Sequence, residues 1–289
     1  MGQRHKYEYE VDPDSDSASA RVARMVGNGK RVLDIGAGPG SITRVLRERG
    51  NCRVTAIEVD AEAIQRLSPY CERVLRCDLN DAGWTAAVAA DGKFQVIVAA
   101  DVLEHLHDPW KTLAAMKDVL SADGYAVVSL PHIGHNTVVA CLVEEDLSYQ
   151  DWGLLDRTHL RFFGILNMQR LFEDAGFRIV DAEFVVRSPN QTEFADRWAR
   201  APRALKRALA RNRFGLVYQV VVKAKPGSPR DGGIRLADLP VVPYRRPFPP
   251  GTPLGTRLMA RAKSAVSPRV NPRTRARLRN WLDRIGVKY

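Results

Sequence analysis

Short apolar runs alternate with amphipathic stretches along the first 225 residues of the chain. Five of these runs predict buried strands, at residues 31–35, 53–57, 73–76, 94–99 and 125–130. Between them, apolar residues recur at the three- and four-residue spacing of a helix face, over residues 41–49, 61–67 and 110–120. Strands that alternate with helices in this way are typical of a doubly wound α/β sheet.

The last part of this region predicts two more strands and an unusual connection. Residues 168–175 have helical spacing, and Gly176 follows as a residue that ends a helix. The apolar runs 177–186 and 215–224 then predict the final strands. Residues 191–212 between them are rich in arginine and predict a basic helical insertion, which is longer than most connections between neighbouring strands.

A glycine-rich turn, Gly-Ala-Gly-Pro-Gly, follows the first predicted strand and precedes the first predicted helix. Such a turn lets a ligand approach the backbone and presents the N–H groups of the helix start to it. The glycines are Gly36, Gly38 and Gly40, whereas a dinucleotide-binding turn has its third glycine where this chain has Ser41. Asp34 precedes the turn, and its carboxylate suits a cationic ligand better than a pyrophosphate. Both features disfavour a dinucleotide oxidoreductase.

Three further carboxylates stand where predicted strands end. Glu58 ends the second strand, at the distance from the glycine turn where a carboxylate accepts hydrogen bonds from ribose hydroxyls. Asp78 follows the third strand, where it would accept the amino group of an adenine, and Asp101 closes the fourth. Because the carboxyl ends of parallel strands meet at one edge of a sheet, these acids predict a nucleotide site at that edge.

These motifs resemble those of the class I S-adenosylmethionine-dependent methyltransferases. The matching segments are VLDIGAGPG, AIEVD, RCDLND and ADVLEHLHDP. The resemblance implies a strand order of 3-2-1-4-5-7-6 with the seventh strand antiparallel, and S-adenosyl-L-methionine as the cofactor, with S-adenosyl-L-homocysteine as its product. It implies cofactor contacts from Asp34, Gly36, Ala37, Gly38, Gly40, Glu58, Val59, Asp78, Leu79, Ala100 and Asp101.

Within this class the chain resembles a bacterial group related to ubiquinone-biosynthesis O-methyltransferases and often found among glycan-assembly enzymes. The segments that carry this resemblance are YEYEVDPDSDS, SLPHIGH and GLLDRTHLRFF. It implies O-methylation of a sugar hydroxyl on a bacterial glycan, a glycolipid or a glycosylated metabolite. A phenolic or quinone-type small molecule is the alternative acceptor. A nucleic-acid-binding protein, such as an RNA methyltransferase, is the alternative from another class.

Methylation of a hydroxyl benefits from a base, and histidine is the side chain best suited to that role near neutral pH. His159, in the segment GLLDRTHLRFF, is the first candidate base, and His132, just after the fifth predicted strand, is the second. Glu104 and His105 are interpreted as packing and orienting groups on a helix after the fourth strand. Their E-H-x-H spacing does not place metal ligands on one helix face, so no metal is predicted.

Two segments are expected to enclose the substrates. Residues 131–165 follow the fifth strand, where this superfamily commonly covers its acceptor, and their candidate substrate-binding residues are His135, Asp156, Arg157 and Phe162. Residues 1–29 predict an N-terminal lid arm over the methionine end of the cofactor, with a solvated acidic arm as the alternative. The side chains that favour the lid are Tyr7, Tyr9, Asp12 and Asp14.

The net charge of +11 comes from one end of the chain. Residues 1–225 hold 30 basic and 30 acidic residues, whereas residues 226–289 hold 14 and 3, together with 10 of the 17 prolines. We therefore expect a neutral catalytic domain, residues 1–225, and a basic Pro/Arg-rich C-terminal extension, residues 226–289. Nucleic acid is disfavoured as a partner, because the domain is neutral and the extension lacks the interleaved aromatic residues that stack on single strands.

Residues 254–266 of the extension have apolar residues at helical spacing among arginines, which would suit an anionic membrane surface. A solvated extension is the alternative. The N-terminus has no secretory signal, so a cytoplasmic location is expected, with peripheral contact to the inner face of the membrane through the extension. The sequence does not indicate an oligomeric state.

Overall fold

A computed structural model describes residues 5–242 of the chain, which contain one seven-stranded sheet. The strands are β1 (Arg31–Ile35), β2 (Arg53–Glu58), β3 (Arg73–Arg76), β4 (Phe94–Ala100), β5 (Leu120–Pro131), β6 (Phe177–Val186) and β7 (Val217–Pro226). Their order is β3-β2-β1-β4-β5-β7-β6. The first five strands are parallel, and β7 is antiparallel to both β5 and β6. The predicted mostly parallel doubly wound sheet and its strand order are confirmed.

Helices cover both faces of the sheet. They are α1 (Ala18–Val26), α2 (Ser41–Glu48), α3 (Ala61–Leu67), α4 (Trp84–Ala89), α5 (Pro109–Ala115), α6 (Asn136–Val143), α7 (Ile165–Asp174), α8 (Ala195–Arg200) and α9 (Arg203–Leu209). On one face Val22 and Met25 of α1 and Leu46 of α2 pack against valines of the central strands. On the other, Trp84 and Phe172 belong to a larger cluster that joins α4, α5 and α7 to the sheet. Because both faces are covered, the sequences of the central strands are continuous apolar runs.

The connection from α5 to β5 differs from the sequence prediction. The helix expected over residues 110–120 ends at Ala115, and the strand expected from Tyr125 already begins at Leu120. Leu120 pairs with Phe94 across the sheet, and both side chains are buried. The apolar residues that gave this stretch a helical period therefore belong partly to the strand.

Helix α1 is an element that the sequence pattern did not predict. Ser17 caps it by accepting a hydrogen bond from the Ala20 N–H at 3.2 Å. Val22 and Val26 are fully buried against the sheet. The predicted lid arm, residues 1–29, is thus divided, and of the described residues only 5–17, called here the N-terminal arm, precede the helix.

The compact body extends past Lys225. The Ile234 N–H donates to the Ile179 carbonyl at 2.8 Å, and the Leu236 N–H donates to Gln169 Oε1 at 2.9 Å. Leu236 itself is fully buried. The first part of the predicted extension therefore completes the core, whereas the predicted membrane-surface segment, residues 254–266, lies outside the described residues. None of the helices in residues 5–242 has the length and apolar character needed to cross a membrane.

Candidate active site

Two backbone hydrogen bonds attach the glycine turn between β1 and α2 to the neighbouring strand. The N–H groups of Gly36 and Ala37 both donate to the Ile57 carbonyl, at 2.8 and 3.2 Å. Gly36 has φ +64°, and a Cβ at this position would lie 2.7 Å from the side chain of Val102. A Cβ at Gly38 would meet no atom within 4 Å. The turn therefore requires glycine for its backbone and leaves open space in front of Gly38.

Asp34 lies at the end of β1 and is buried. Its Oδ2 accepts a 2.6 Å hydrogen bond from Thr43 Oγ1 of α2, the helix that begins after Gly40. Burial raises the pKa of Asp34 to about 7, although the bond from Thr43 opposes this shift. A cation bound nearby would stabilise the ionised carboxylate, which agrees with the cationic ligand expected from the sequence.

The Glu58 carboxylate stands at the end of β2, beside the glycine turn. Its Oε2 accepts a 2.7 Å hydrogen bond from the Gly38 N–H. Its Oε1 accepts from the N–H groups of Val59, at 2.7 Å, and Asp60, at 2.9 Å. A carboxylate has about four lone-pair positions, so three backbone donors leave about one for a ribose hydroxyl.

The third predicted acid, Asp78, lies farther along the same edge. Asp78 is exposed and its Oδ1 accepts from both the backbone and the side-chain nitrogen of Asn80, each at 2.9 Å. Leu79 next to it is buried, whereas the Val59 side chain is 53% exposed. An apolar surface and a carboxylate are thus available at this edge, as an adenine site needs.

Asp101 follows Ala100 at the end of β4 and has an unusual backbone, with φ +55°. Its Oδ1 accepts a 2.8 Å hydrogen bond from Ser129 Oγ of β5. Gln219 Nε2 of β7 donates to both carboxylate oxygens, at 3.0 and 2.9 Å. Burial raises the pKa of Asp101, and these hydrogen bonds oppose the shift. Asp101 keeps this left-handed backbone, which is uncommon for a residue other than glycine, because side chains of β5 and β7 hold its carboxylate.

The acceptor cover, residues 131–165, folds back onto the loop after β4. The Glu104 carbonyl accepts hydrogen bonds from the N–H groups of Leu160 and Arg161, at 2.8 and 3.0 Å. The Arg161 guanidinium donates to the His107 carbonyl at 2.5 and 3.2 Å. These bonds place His159 next to Glu104, which the sequence could not show.

The Glu104 and His159 side chains form a buried pair with unused hydrogen-bonding capacity. Glu104 is fully buried, and neither of its carboxylate oxygens has a hydrogen-bond partner among the described residues. His159 Nε2 lies 4.0 Å from Glu104 Oε1, and its buried Nδ1 also has no hydrogen-bond partner there. Burial, and secondarily the Asp101 charge, raises the pKa of Glu104 well above its usual range. Burial and the neighbouring His105 lower the pKa of His159 to about 4.

Asp156 and Phe162 flank His159, and Arg157 points elsewhere. Asp156 accepts hydrogen bonds from the Thr158 N–H and Oγ1, at 2.9 and 2.7 Å. Burial opposes ionisation of Asp156, but these bonds and the charge of Lys6 outweigh it and lower its pKa. The Phe162 ring meets the His159 ring edge to face with centroids 6.3 Å apart. Arg157 forms a 2.8 Å ion pair with Asp151 on the surface.

His132 and His135, the other two predicted histidines, are held in the protein interior. His132 Nδ1 donates to the Val217 carbonyl at 3.0 Å, and burial lowers the pKa of this ring. His135 is fully buried, with Nδ1 2.8 Å from Thr137 Oγ1 and Nε2 3.0 Å from the Arg187 carbonyl. The structure thus does not bring a free nitrogen of His135 to the acceptor.

The N-terminal arm crosses both parts of the site. The Tyr9 N–H donates to Ser41 Oγ at 3.0 Å, at the start of the helix that follows the glycine turn. The Tyr9 hydroxyl lies 2.7 Å from Ser19 Oγ, and burial raises its pKa. Lys6 Nζ lies 3.3 Å from Asp156 Oδ2 of the acceptor cover. The arm therefore contacts the glycine turn region and the acceptor cover together.

Comparison with known proteins identifies the class to which this arrangement belongs. Residues 5–182 match the sequence profile of a family described as "Methyltransferase domain". The chain belongs to this methyltransferase family. Its members are class I enzymes that use S-adenosylmethionine, so the expected enzyme class and cofactor are confirmed.

Relatives and solved structures agree with this family. The chain is 29% identical over 165 residues to a ubiquinone biosynthesis O-methyltransferase of Psychrobacter arcticus, covering 54% of this chain and 62% of the relative. A protein of the same name from Dinoroseobacter shibae is 29% identical over 178 residues, which is 58% of this chain and 69% of the relative. A solved structure assigned as a methyltransferase, from Bacillus halodurans, has a TM-score of 0.51 at 16% identity. It covers 73% of this chain and 99% of that protein, and it shows the fold alone.

The methyltransferase site also contains a group of potential metal ligands. One ligand atom each from Glu104, His105 and His159 lies within 4.8 Å of the others. The E-H-x-H spacing argued against a metal only for ligands that all lie in the segment after β4. The structure shows this segment as a single 3-10 turn, Leu103–His105, and not as a longer helix. Because His159 joins this group from the acceptor cover, the absence of a metal stays a prediction.

Several residues that position the methyltransferase site were not predicted from the sequence. Gln219 and Ser129 bind Asp101, and Lys6 binds the acceptor cover. Each of them looks ordinary in the sequence, because its partner lies 28 or more residues away. Only the alternation of side chains on β7 could have suggested that Gln219 faces the sheet edge.

Proposed function

We propose that this methyltransferase transfers the methyl group of S-adenosylmethionine to the hydroxyl of a phenolic or quinone-type small molecule, with His159 as the base. The chain is an S-adenosylmethionine-dependent methyltransferase by family. We therefore propose only the acceptor and the roles of individual residues.

The buried His159 ring is the observation that carries the proposal. With its pKa lowered to about 4, the ring is neutral at pH 7 and can accept a proton. Its Nδ1 has no hydrogen-bond partner among residues 5–242. A positive charge on the ring would favour the ionised form of Glu104, whose Oε1 lies 4.0 Å from Nε2 and would in turn stabilise the charged ring. A phenolic hydroxyl, with a pKa of about 10, needs this assistance less than an aliphatic alcohol does.

The phenolic acceptor replaces the sugar as our preferred substrate for two reasons. The two relatives from Psychrobacter arcticus and Dinoroseobacter shibae are named for O-methylation in ubiquinone biosynthesis, and neither name mentions a glycan. The cover also presents apolar groups, since Leu160 is 48% and Phe162 41% exposed beside His159. Such side chains suit the face of an aromatic ring.

The residues at the strand ends fit the cofactor. Gly36, Gly38 and Asp34 would bind its methionine part, with open space in front of Gly38. Glu58 would bind the ribose through its remaining lone pair, or by exchanging the bond from Gly38, and Asp78 would bind the adenine. Bound there, the cofactor supplies an electrophilic methyl group. The N-terminal arm and the acceptor cover would exclude water from the reacting groups.

A substrate panel tests this proposal directly. Purified chain is incubated with S-adenosylmethionine and either catechol-type phenols or sugars and glycosides, and products are analysed by mass spectrometry. We expect phenols to gain one methyl group and sugars to remain unchanged. Methylation of glycosides alone would overturn the phenolic acceptor and favour the sugar hydroxyl.

A chelator distinguishes a role of His159 as the base from a role as a metal ligand. We expect EDTA to leave the rate of phenol methylation unchanged. A loss of rate that added magnesium or zinc restores would assign Glu104, His105 and His159 to a metal and overturn the role of His159 as the base.

A further inference from the structure

We propose that the chain forms a two-fold symmetric dimer through a face made of two neighbouring patches of opposite charge. The first patch, residues 142–152, is called the acidic crest, and it includes the end of α6 and the loop that follows. The second, residues 195–213, is called the basic helix pair, and it includes α8 and α9. This inference concerns assembly and does not depend on the identity of the acceptor.

The acidic crest exposes an unusual amount of apolar surface for part of a folded body. Five large apolar side chains, each between 39% and 61% exposed, lie within it: Leu142, Val143, Leu147, Tyr149 and Trp152. The same eleven positions carry four acidic residues and no basic one. Exposed apolar side chains that are concentrated in one segment, with charges among them, are typical of a contact surface.

The basic helix pair has the opposite charge, and among its basic side chains only Arg197 forms an ion pair within residues 5–242. Residues 195–213 carry seven arginine and lysine residues and one acidic residue, Asp196. Arg200, Arg203, Arg207 and Arg211 are exposed and form no ion pair within residues 5–242. Packing within the described body therefore does not account for this cluster of charge.

The two patches are neighbours in the structure and are firmly attached. Arg197 of α8 forms a 2.7 Å ion pair with Asp146 of the crest, and Asn136 of α6 donates a 3.1 Å hydrogen bond to the Leu209 carbonyl of α9. Glu193 fixes the chain just after the crest, because it accepts hydrogen bonds from the Leu154 N–H at 2.6 Å and the Tyr218 hydroxyl at 3.0 Å. The face is thus preorganised for a partner.

A second copy of this chain is the occupant that fits both patches at once. In a two-fold dimer each residue pair occurs twice, so the acidic crest of one chain can meet the basic helix pair of the other on both sides of the axis. Glu144 and Glu145 are exposed and make no ion pair within the described residues, which leaves them available to the partner's arginines. An anionic membrane or nucleic acid would be attracted by the helices but repelled by the crest. Of the 30 residues in the two patches, 22 are exposed, which is within the roughly 20–30 residues a side that standard interfaces use.

Charge reversal on each patch tests the dimer. Sedimentation velocity of the full chain over a range of concentrations measures the dimer dissociation constant. Arg203→Glu/Arg207→Glu and Glu144→Arg/Glu145→Arg should each raise that constant about tenfold or more, because like charges then face each other twice. Mixing the two variants should restore dimers, since every reversed patch then meets an opposite charge. Arg49→Glu/Arg170→Glu, which reverses two exposed arginines outside the face, is the matched control and should dimerise normally.

Three results would overturn the dimer. The first is a wild-type chain that stays monomeric at all concentrations. The second is equal weakening in the control variant, which would assign the effect to net charge, and the third is failure of the mixed variants to associate. If the wild-type chain is monomeric but binds phosphatidylglycerol vesicles, and the Arg203→Glu/Arg207→Glu variant does not bind them, the basic helix pair contacts a membrane instead. Circular dichroism and S-adenosylmethionine binding confirm that each variant is folded.

Discussion

The candidate site has a cofactor half, at the strand ends, and an acceptor half, at the acceptor cover. The hydrogen bonds that hold them span very different distances along the sequence. At the strand ends, Glu58 is held by the N–H groups of Gly38, Val59 and Asp60, no more than 20 residues away. At the acceptor cover, Lys6 reaches Asp156 over 150 residues. Apart from Asp101, which Gln219 binds from 118 residues away, the cofactor half is therefore a local structure, whereas the acceptor half exists only after the chain has folded. Changes in the first should affect cofactor affinity, and changes in the second should affect turnover.

The largest expected effect is on turnover, from a change in the acceptor half. His159→Ala removes the proposed base and should lower kcat by about 100-fold or more, with the affinity for S-adenosylmethionine nearly unchanged. Initial rates and calorimetric titration measure the two quantities. His132→Ala is the matched histidine control. If the His132 variant loses activity and the His159 variant does not, the base lies in the loop after β5, and normal rates in both would mean that positioning alone carries the reaction.

The next effect belongs to the cofactor half. Glu58→Ala removes the proposed partner of the ribose and should weaken S-adenosylmethionine binding about 30-fold, corresponding to about 2 kcal/mol. Calorimetry measures this loss, and the exposed Glu62→Ala on α3 serves as the control. Unchanged affinity in the Glu58 variant would remove the ribose assignment.

The pH dependence of turnover gives a smaller effect with a definite sign. A base must be neutral to act, and a pKa lowered to about 4 keeps His159 neutral well into the acid range. With saturating substrates, kcat should be nearly constant from pH 8 to about pH 5.5, where a histidine of ordinary pKa would already lose about tenfold. An acid limb near pH 6.5 would show that the ring is solvated during turnover, in contrast to the structure.

The smallest effect concerns the bond that connects the two halves. Lys6 is 39% exposed and Asp156 is 4% exposed, so the ion pair is partly screened by solvent. Lys6→Ala should raise both the acceptor KM and the cofactor Kd about two- to fivefold. Lys111→Ala, on the exposed side of α5, is the control. A change in only one of the two constants would mean that the arm belongs to one half alone.

The range of these contacts explains how much the sequence could predict. The strands and the glycine turn were predictable because apolar runs and glycine-rich turns are local signals, whereas the order of the strands in the sheet came from the family resemblance. The carboxylates of Asp34, Glu58 and Asp78 lie at or just after strand ends and could be placed because the strands themselves are local signals. The Glu104–His159 pair could not be placed, because it depends on how Leu160 and Arg161 bind the loop after β4. Helix α1 was missed because its sequence was interpreted as part of an acidic arm.

The N-terminal arm has a thermodynamic consequence for how the binding of one substrate affects the binding of the other. Tyr9 forms a hydrogen bond with Ser41 in the cofactor half, and Lys6 forms one with Asp156 in the acceptor half, so one segment contacts both halves. If the cofactor and the acceptor each bind more tightly when the arm is closed, binding of the cofactor raises the affinity for the acceptor. Linkage then requires the acceptor to raise cofactor affinity equally. Residues 5–17, ahead of the first helix, can thus make the two binding equilibria cooperative in addition to any direct contact between the two ligands.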